Sequence, residues 1–493
     1  MGLLKACGSP LNKVLAVLAE GCLRLGWFPA QFQRAKTVVL QKPGKPPATY
    51  RTPGGYRPIA LLPTLGKVIE AVVAQRITEA AEAFGLLPTE QMGNREHRST
   101  ELAVRLVVAQ AYEAQRQKAT TSLLQLDIAG AFDTVNHTRL LATLREQGFP
   151  QWLVYWVRAW LTGRVAILYF DGQATEDIPV EAGVPQGSPL SPILFILYIA
   201  SLYKALKGAH PLVSIVGFAD DTNLLAFGKT PQANVQQLEK AWKTCLQWAA
   251  TRGMAFAAQK CELIHFNKGR RQWEAPVALA LPGGTGTTSI TPVGSARFLG
   301  VWLDWKLSWK AHGQAVEKKL HTQDFALSRI AAKTWGPALA KAREVYIKCI
   351  RSAIAYGASS FHTPTGVGAT SKPIGLAEGL IKAQNRSLRI VAGAYKSTPI
   401  RCLETETWVP PLDLYLNKRL ADFEQRLQQP VLQSGAGREA PKTTAGSIVT
   451  EACNRVYWMF RKRKRGRGQR FRAGPQGPTP TEAAAVAIAQ WAD

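Results

Sequence analysis

Apolar positions along the chain recur with two periods, and these mark out the elements. In Leu65–Phe84 (LGKVIEAVVAQRITEAAEAF) they return every three to four residues, which predicts an amphipathic helix closed by Gly85. The same spacing predicts helices within residues 1–33, ending near Gly26, over Glu101–Arg116 and over Gln236–Trp248. Short apolar runs predict strands at Ala35–Gln41, from Gly54 through Leu62, at Ser122–Asp127, at Cys261–Phe266 behind Lys260, and at Phe298–Asp304. Leu212–Gly228 (LVSIVGFADDTNLLAFG) sets two apolar runs around Ala219-Asp220-Asp221-Thr222, which predicts a β-hairpin with two adjacent carboxylates at its tip. From Trp309 to Leu427 the pattern is mostly helical and predicts a separate unit. Residues 428–450, rich in Gln, Gly, Pro and Thr, read as a linker.

Length and charge narrow the class. A chain of 493 residues exceeds one hydrophobic core and implies two or three packed units. Lys and Arg number 61 against 34 Asp and Glu, a formal net charge of +27. A solvated surface does not need that excess, and a polyanionic partner does; nucleic acid is the first candidate and anionic membrane the competitor. Arg461–Arg472 (RKRKRGRGQRFR) reads equally as a nucleic-acid-binding arm, a nuclear import signal or a solvated tail. The seven cysteines show no CxxC spacing, which argues against a disulfide framework and a structural zinc site. Lys13, Glu20 and Arg24 interrupt the N-terminal apolar run, so it reads as an amphipathic helix rather than a signal peptide. The run Leu190–Tyr203, about 14 residues, is short for a membrane span and fits a buried helix.

The carboxylates carry the chemistry. A buried run makes Asp220 and Asp221 costly unless a cation pairs with them, and their mutual repulsion favours a hard divalent ion with oxygen ligands. In Ser122–Asp127, period-two alternation puts Leu123, Gln125 and Asp127 on one face, so Asp127 ends a strand as a third carboxylate. Three carboxylates converging on two Mg²⁺ ions would form a phosphoryl-transfer site. Lys42 and Arg57 flank the basic loop Lys42–Pro47 and suit an anion such as a triphosphate, although standing alone they read as a solvated loop. In GVPQGSPLSPILF (183–195), Gly183 and Gly187 let backbone approach a ligand, Gln186 supplies an amide, and Ser188 is placed to cap a helix with Pro189 at its first position.

Taken together, AKTVVLQKPGK, YRPIALL, DIAGAFD, GVPQGSPLSPILF, FADD, QKCELIHF and FLGVWLD resemble the successive blocks of a reverse transcriptase. The wording is similar to that of non-LTR (LINE-type) retrotransposons, especially fungal and arthropod elements whose polyprotein also carries an endonuclease. The resemblance implies an α+β right-hand polymerase with an antiparallel palm sheet and a helical thumb. The implied division is fingers at 1–125, palm at 126–305, thumb and connector at 306–427, and linker and basic tail at 428–493. It implies RNA-directed DNA polymerisation, in which two Mg²⁺ ions (or Mn²⁺) are held by Asp127, Asp220 and Asp221 with help from the Ile128 carbonyl. Phe132 matches the aromatic under the deoxyribose, whose ring excludes a 2′-hydroxyl. Lys42 and Arg57 match the residues that grip the triphosphate, and Gln186 and Gly187 the loop supporting template and nucleotide. Lys260 matches the lysine that protonates pyrophosphate, and Arg98 is placed to track the template backbone.

The partners implied are an RNA template, a DNA primer and dNTPs, with no membrane, and the location implied is the nucleus. No endonuclease, RNase H or cysteine-histidine knuckle is visible, and Asn94 departs from the family wording, so the chain reads as a fragment of a larger open reading frame or as a decayed genomic copy. The rival reading is a catalytically silent relic that only binds nucleic acid. An RNA-copying RNA polymerase is disfavoured by Phe132.

Overall fold

Two antiparallel-rich sheets position everything that the sequence singles out. The structure is a computed structural model that describes residues 6–44, 46–269, 272–284, 286–331, 335–364, 376–429 and 444–461. Most of the basic run Arg461–Arg472 and of the linker therefore lies outside the described residues.

The first sheet forms the fingers. Strand β1 (Arg34–Gln41) pairs antiparallel with β2 (Tyr56–Leu61), setting Leu40 opposite Arg57 and Gln41 opposite Tyr56. It also pairs in parallel with β4 (Val165–Phe170), to which β5 (Gln173–Ala174) and β6 (Ile178–Pro179) attach. Sheet membership therefore crosses the expected boundaries: residues 165–179 join the fingers strands, while β3 (Thr120–Leu126) belongs to the palm. Helix α1 (Gly8–Leu25) ends as expected on Gly26, whose φ of 59° is the left-handed conformation glycine adopts without penalty. Helix α2 (Thr64–Ala83) follows β2.

The palm sheet has the order β7-β8-β3-β9, with β7 Val213–Phe218, β8 Asp221–Gly228 and β9 Glu262–Phe266, every pair antiparallel. Its two faces are both buried. Leu124, Leu224, Ile215 and Leu263 join a core with α6 (Ser191–Ala209) and α7 (Pro231–Arg252). Leu123, Leu225, Ile264 and Phe266 join a second core with α3 (Thr100–Arg116). Burial on two sides explains why these strands read as continuous apolar runs. Helix α6 is 19 residues long and apolar enough to cross a membrane by length and composition, yet Leu194 through Ala200 are fully buried, as in a core helix.

Three sequence readings are corrected here, and one element is added. Phe298–Asp304 is not one strand but the hairpin β12 (Ser295–Phe298) and β13 (Val301–Asp304), turned by Leu299 and Gly300 with φ of 44° and 88°. Two positive φ values in a two-residue loop are what a hairpin turn requires, and leucine gives no hint of one. Between β9 and β12 lies a small pair, β10 (Val277–Ala280) and β11 (Thr287–Ile290). Ser188 does not cap α6, which begins at Ser191 with Leu190 as its cap residue. Finally, the span read as linker and tail contains a helix, Ala445–Phe460, which packs in the second core beside α3 through Ala445, Ile448 and Val456.

The thumb is helical, as expected. Its own core joins α8 (Lys310–Ser328) to the helices Leu339–Val345, Leu376–Val391 and Leu412–Leu427 through Leu320, Ala342, Leu388 and Leu416. It is tied to the palm by Glu101 of α3, which meets Arg419 at 2.9 Å and Arg426 at 3.3 Å.

Candidate active site

Strand register assembles the site. Extending the β3–β8 pairing one residue beyond Leu126↔Thr222 sets Asp127 opposite Asp221, and extending β3–β9 sets Asp127 opposite Lys260. Asp221, Asp127 and Lys260 therefore form one row across three strand ends. Lys260 Nζ lies 3.1 Å from Asp127 Oδ2, an ion pair without hydrogen-bond geometry, so that buried oxygen has no hydrogen-bond partner. Asp220 occupies the turn, next to Ala219 with φ 54°. Behind the row, Gln125, Asn223 and Glu262 share the same face and line a cavity of about 220 Å³ closed by Arg297 and Phe298.

The carboxylates sit in one another's field. Asp221 presents surface to solvent, but desolvation in this concavity, then Asp220 and Asp127, push its pKa up to about 6. Desolvation also raises Asp220, with Asp127 adding to it and Arg57 opposing. Arg57 thus acts across from the fingers onto the palm carboxylate. This set fits a hard divalent cation by donor type and by charge. As placed, no three acidic, histidine or cysteine side chains among the described residues close into a ligand set.

The remaining candidates fall around this row. Lys42 follows β1 opposite Gly55, so its side chain shares a face with Arg57; its Nζ donates to the Gly54 carbonyl at 2.9 Å. Ile128 bridges Phe256, flanked by the bonds Ala129 N to Ala255 O and Ala257 N to Asp127 O, which leave the Ile128 carbonyl out of that bridge. Phe132 stacks on Phe195 with centroids 4.9 Å apart, and its carbonyl accepts from Val184 N at 2.7 Å. Gln186 donates to both Asp133 oxygens, at 3.0 and 3.1 Å, and its carbonyl accepts from Ala60 N. Gly187 (φ 129°) lies so near Ala60 that a Cβ would come within 2.4 Å of its carbonyl oxygen. The GVPQG loop is thus laced to both the DIAGAFD turn and β2.

Arg98, expected to track the template backbone, is engaged by carbonyls of its own loop. Its Nη1 donates to the carbonyls of Thr89 at 2.5 Å and Gln91 at 3.0 Å, and desolvation drives its pKa down to about 9. Nη1 thus closes the loop on itself, while the buried Nε has no hydrogen-bond partner.

Sequence reasoning missed Glu70. This fully buried residue of α2 accepts from Ser188 Oγ at 2.6 Å and Trp160 Nε1 at 2.8 Å, with Arg164 Nη2 at 3.5 Å. Ser188 Oγ in turn accepts from Leu190 N, which fixes the loop leading into α6. A glutamate inside an amphipathic helix gives no signal of this, although its place on the buried side of that helix could have. Glu70→Leu should cost about 3–5 kcal/mol, because it leaves the buried Arg164 charge unpaired. Urea unfolding checks this, and adding Arg164→Met should recover most of the loss.

The family described as "Reverse transcriptase (RNA-dependent DNA polymerase)" matches residues 40–303, and the chain belongs to that family. Its relatives come from non-LTR retrotransposons. The chain is 27% identical over 416 residues to the "RNA-directed DNA polymerase from mobile element jockey" of Drosophila melanogaster, covering 84% of this chain and 43% of that protein. It is 28% identical over 320 residues to the "Probable RNA-directed DNA polymerase from transposon X-element" of the same species, covering 65% and 34%. The chain thus spans less than half the length of these relatives. Among solved structures, telomerase from Candida tropicalis with a fragment of telomeric RNA is similar at 12% identity and TM-score 0.40, over 86% of this chain and 65% of that one.

Proposed function

We propose that this chain is an RNA-directed DNA polymerase that adds dNTPs to a primer 3′-hydroxyl. The observation that carries the reading is the row Asp221–Asp127–Lys260 beside Asp220. Asp127, Asp220 and Asp221 would hold divalent cations, Mg²⁺ in the first instance; when bound, these supply the charge that activates the 3′-hydroxyl and stabilises pyrophosphate.

The chain's own residues do the rest. Lys42 and Arg57, on one face of the β1–β2 hairpin, receive the triphosphate, Arg57 through a guanidinium that suits phosphate oxygens. The Phe132 ring, braced by Phe195, forms the floor under the sugar and excludes a 2′-hydroxyl. Gln186 and Gly187 shape the surface under the nascent pair, with the Gln186 amide fixed by Asp133. Lys260 is held at the end of the row by Asp127 and is the proton donor to the leaving group. The excess of basic residues serves an RNA template and a DNA primer by backbone contacts, and a nuclear location suits such substrates.

Copying of a mixed-sequence RNA tests this: each dNTP should be incorporated opposite its complementary template base. Tight template–primer binding with no extension would favour the silent nucleic-acid-binding reading instead.

A further inference from the structure

The tip of the hairpin that carries Asp220 is closed by the pair Phe218↔Asp221 and is also held from outside. Its turn residue Ala219 is a non-glycine at φ 54°, a conformation that L-residues adopt at a cost and that surrounding structure must enforce. The enforcing group comes from a distant loop. Gln91, fully buried, accepts from Ala219 N at 3.0 Å through Oε1 and donates to Ala219 O at 3.1 Å through Nε2. One side-chain amide thus reads both backbone groups of the residue before Asp220. The same Oε1 accepts from Gly93 N at 2.9 Å.

The loop is docked on the hairpin strand as well. Gly217 N donates to Glu90 O at 2.9 Å and Met92 N donates to Gly217 O at 2.7 Å, a short parallel bridge centred on Gln91. Gly93 lies so close that a Cβ on it would come within 2.2 Å of Ala219 N. From behind, the Arg98 guanidinium holds the Thr89 and Gln91 carbonyls, which gives that cation a role distinct from template contact. Every polar group of the Gln91 side chain is therefore directed at the turn or at the backbone that touches it.

We infer that Gln91 is a positioning residue for catalysis: it fixes the backbone of Ala219 and thereby the place of the Asp220 carboxylate, with Arg98 and Gly93 completing the clamp. Gln91 touches neither substrate nor reacting atoms. Its effect is on kcat, because a catalytic group displaced by about 1 Å costs on the order of 10²-fold in rate while ground-state contacts are spared. The inference rests on the polymerase reading, and the experiment separates the two.

Gln91→Leu and Gly93→Ala are compared with the wild-type full chain. The readouts are primer extension on RNA, template–primer affinity, thermal midpoint and amide hydrogen exchange of the hairpin. In Gln91→Leu, kcat should fall about 10–100-fold with the KM for dNTP within about threefold and template–primer affinity unchanged. The Ala219 amide should exchange at least about tenfold faster while amides within the hairpin strands stay protected. Gly93→Ala, which keeps every Gln91 group but pushes the turn, should show the same kcat-specific loss, and it carries the test if Gln91→Leu does not fold. A deprotected Ala219 amide with kcat within twofold of wild type would overturn the inference, as would losses of kcat matched by equal losses of affinity and stability. A wild-type chain without turnover would instead overturn the polymerase reading, and the exchange of Ala219 would still report whether the clamp exists.

Discussion

Primer extension by Asp220→Asn is expected to fall by about 10³-fold or more, while the same metal-free protein melts higher than wild type. The rate loss follows from removing a negative oxygen donor where charge must be gathered and neutralised. The gain in stability follows from the apo site: desolvation and Asp127 both disfavour the ionised Asp220. For Asp221 the sign can be followed through pH. Its folded pKa, about 6, lies above its ordinary 3.8, so the folded state binds more protons between those values. Wild-type stability without metal should therefore rise as pH falls through 6. The advantage of Asp221→Asn should be full near pH 8, shrink through pH 6 and vanish below about pH 4. A rise of roughly 1–2 °C in midpoint at pH 8, read by calorimetry, is the size to look for. A lower midpoint in both variants would mean that the carboxylates make structural bonds and are not held in mutual repulsion.

The second large effect is on sugar selection. Phe132→Val is expected to bring the efficiency of UTP about 10–200-fold closer to that of dTTP on an RNA template, the span that one missing apolar contact in a pocket produces. The effect should fall mainly on the ratio of kcat/KM values, with a stability loss of about 0.5–1.5 kcal/mol from the lost Phe195 stacking, since Phe132 is only half-buried and its carbonyl, which binds Val184 N, is retained. An unchanged ratio would remove Phe132 from the floor of the site.

The meeting of Asp127 with the Asp220–Asp221 hairpin was legible for a definite reason, whereas the place of Lys260 was suggested only by the family resemblance. Alternation with period two placed Leu123, Gln125 and Asp127 together, and the structure puts that face against Asn223 and Glu262 with Asp221 and Lys260 at its end. The hairpin around Asp220 was legible because two apolar runs meet at a short polar centre. What escaped was fixed by tertiary contact and not by local pattern. Residues 165–170 are an apolar run that fits a strand, but their parallel place beside β1 is set by the sheet and not by local pattern. Leu299 takes a positive φ that no leucine advertises. Arg98 looks like a surface cation in REHRST, yet two carbonyls capture it. Glu70 and Gln91 look like ordinary polar positions until Ser188 and Ala219 are found against them. Local spacing can announce a ligand set, whereas the residues that hold it in place are visible only when distant segments are brought together.

The most direct test of the central claim is extension of an oligo(dT) primer on poly(A) by the full chain, with labelled dTTP and Mg²⁺, beside Asp220→Asn. The account predicts template-dependent incorporation by wild type, strong preference for dTTP over UTP, and loss of product in the variant despite retained template–primer binding. Folded wild-type protein that binds poly(A)–oligo(dT) but adds no dTTP would contradict it, as would equal incorporation by Asp220→Asn.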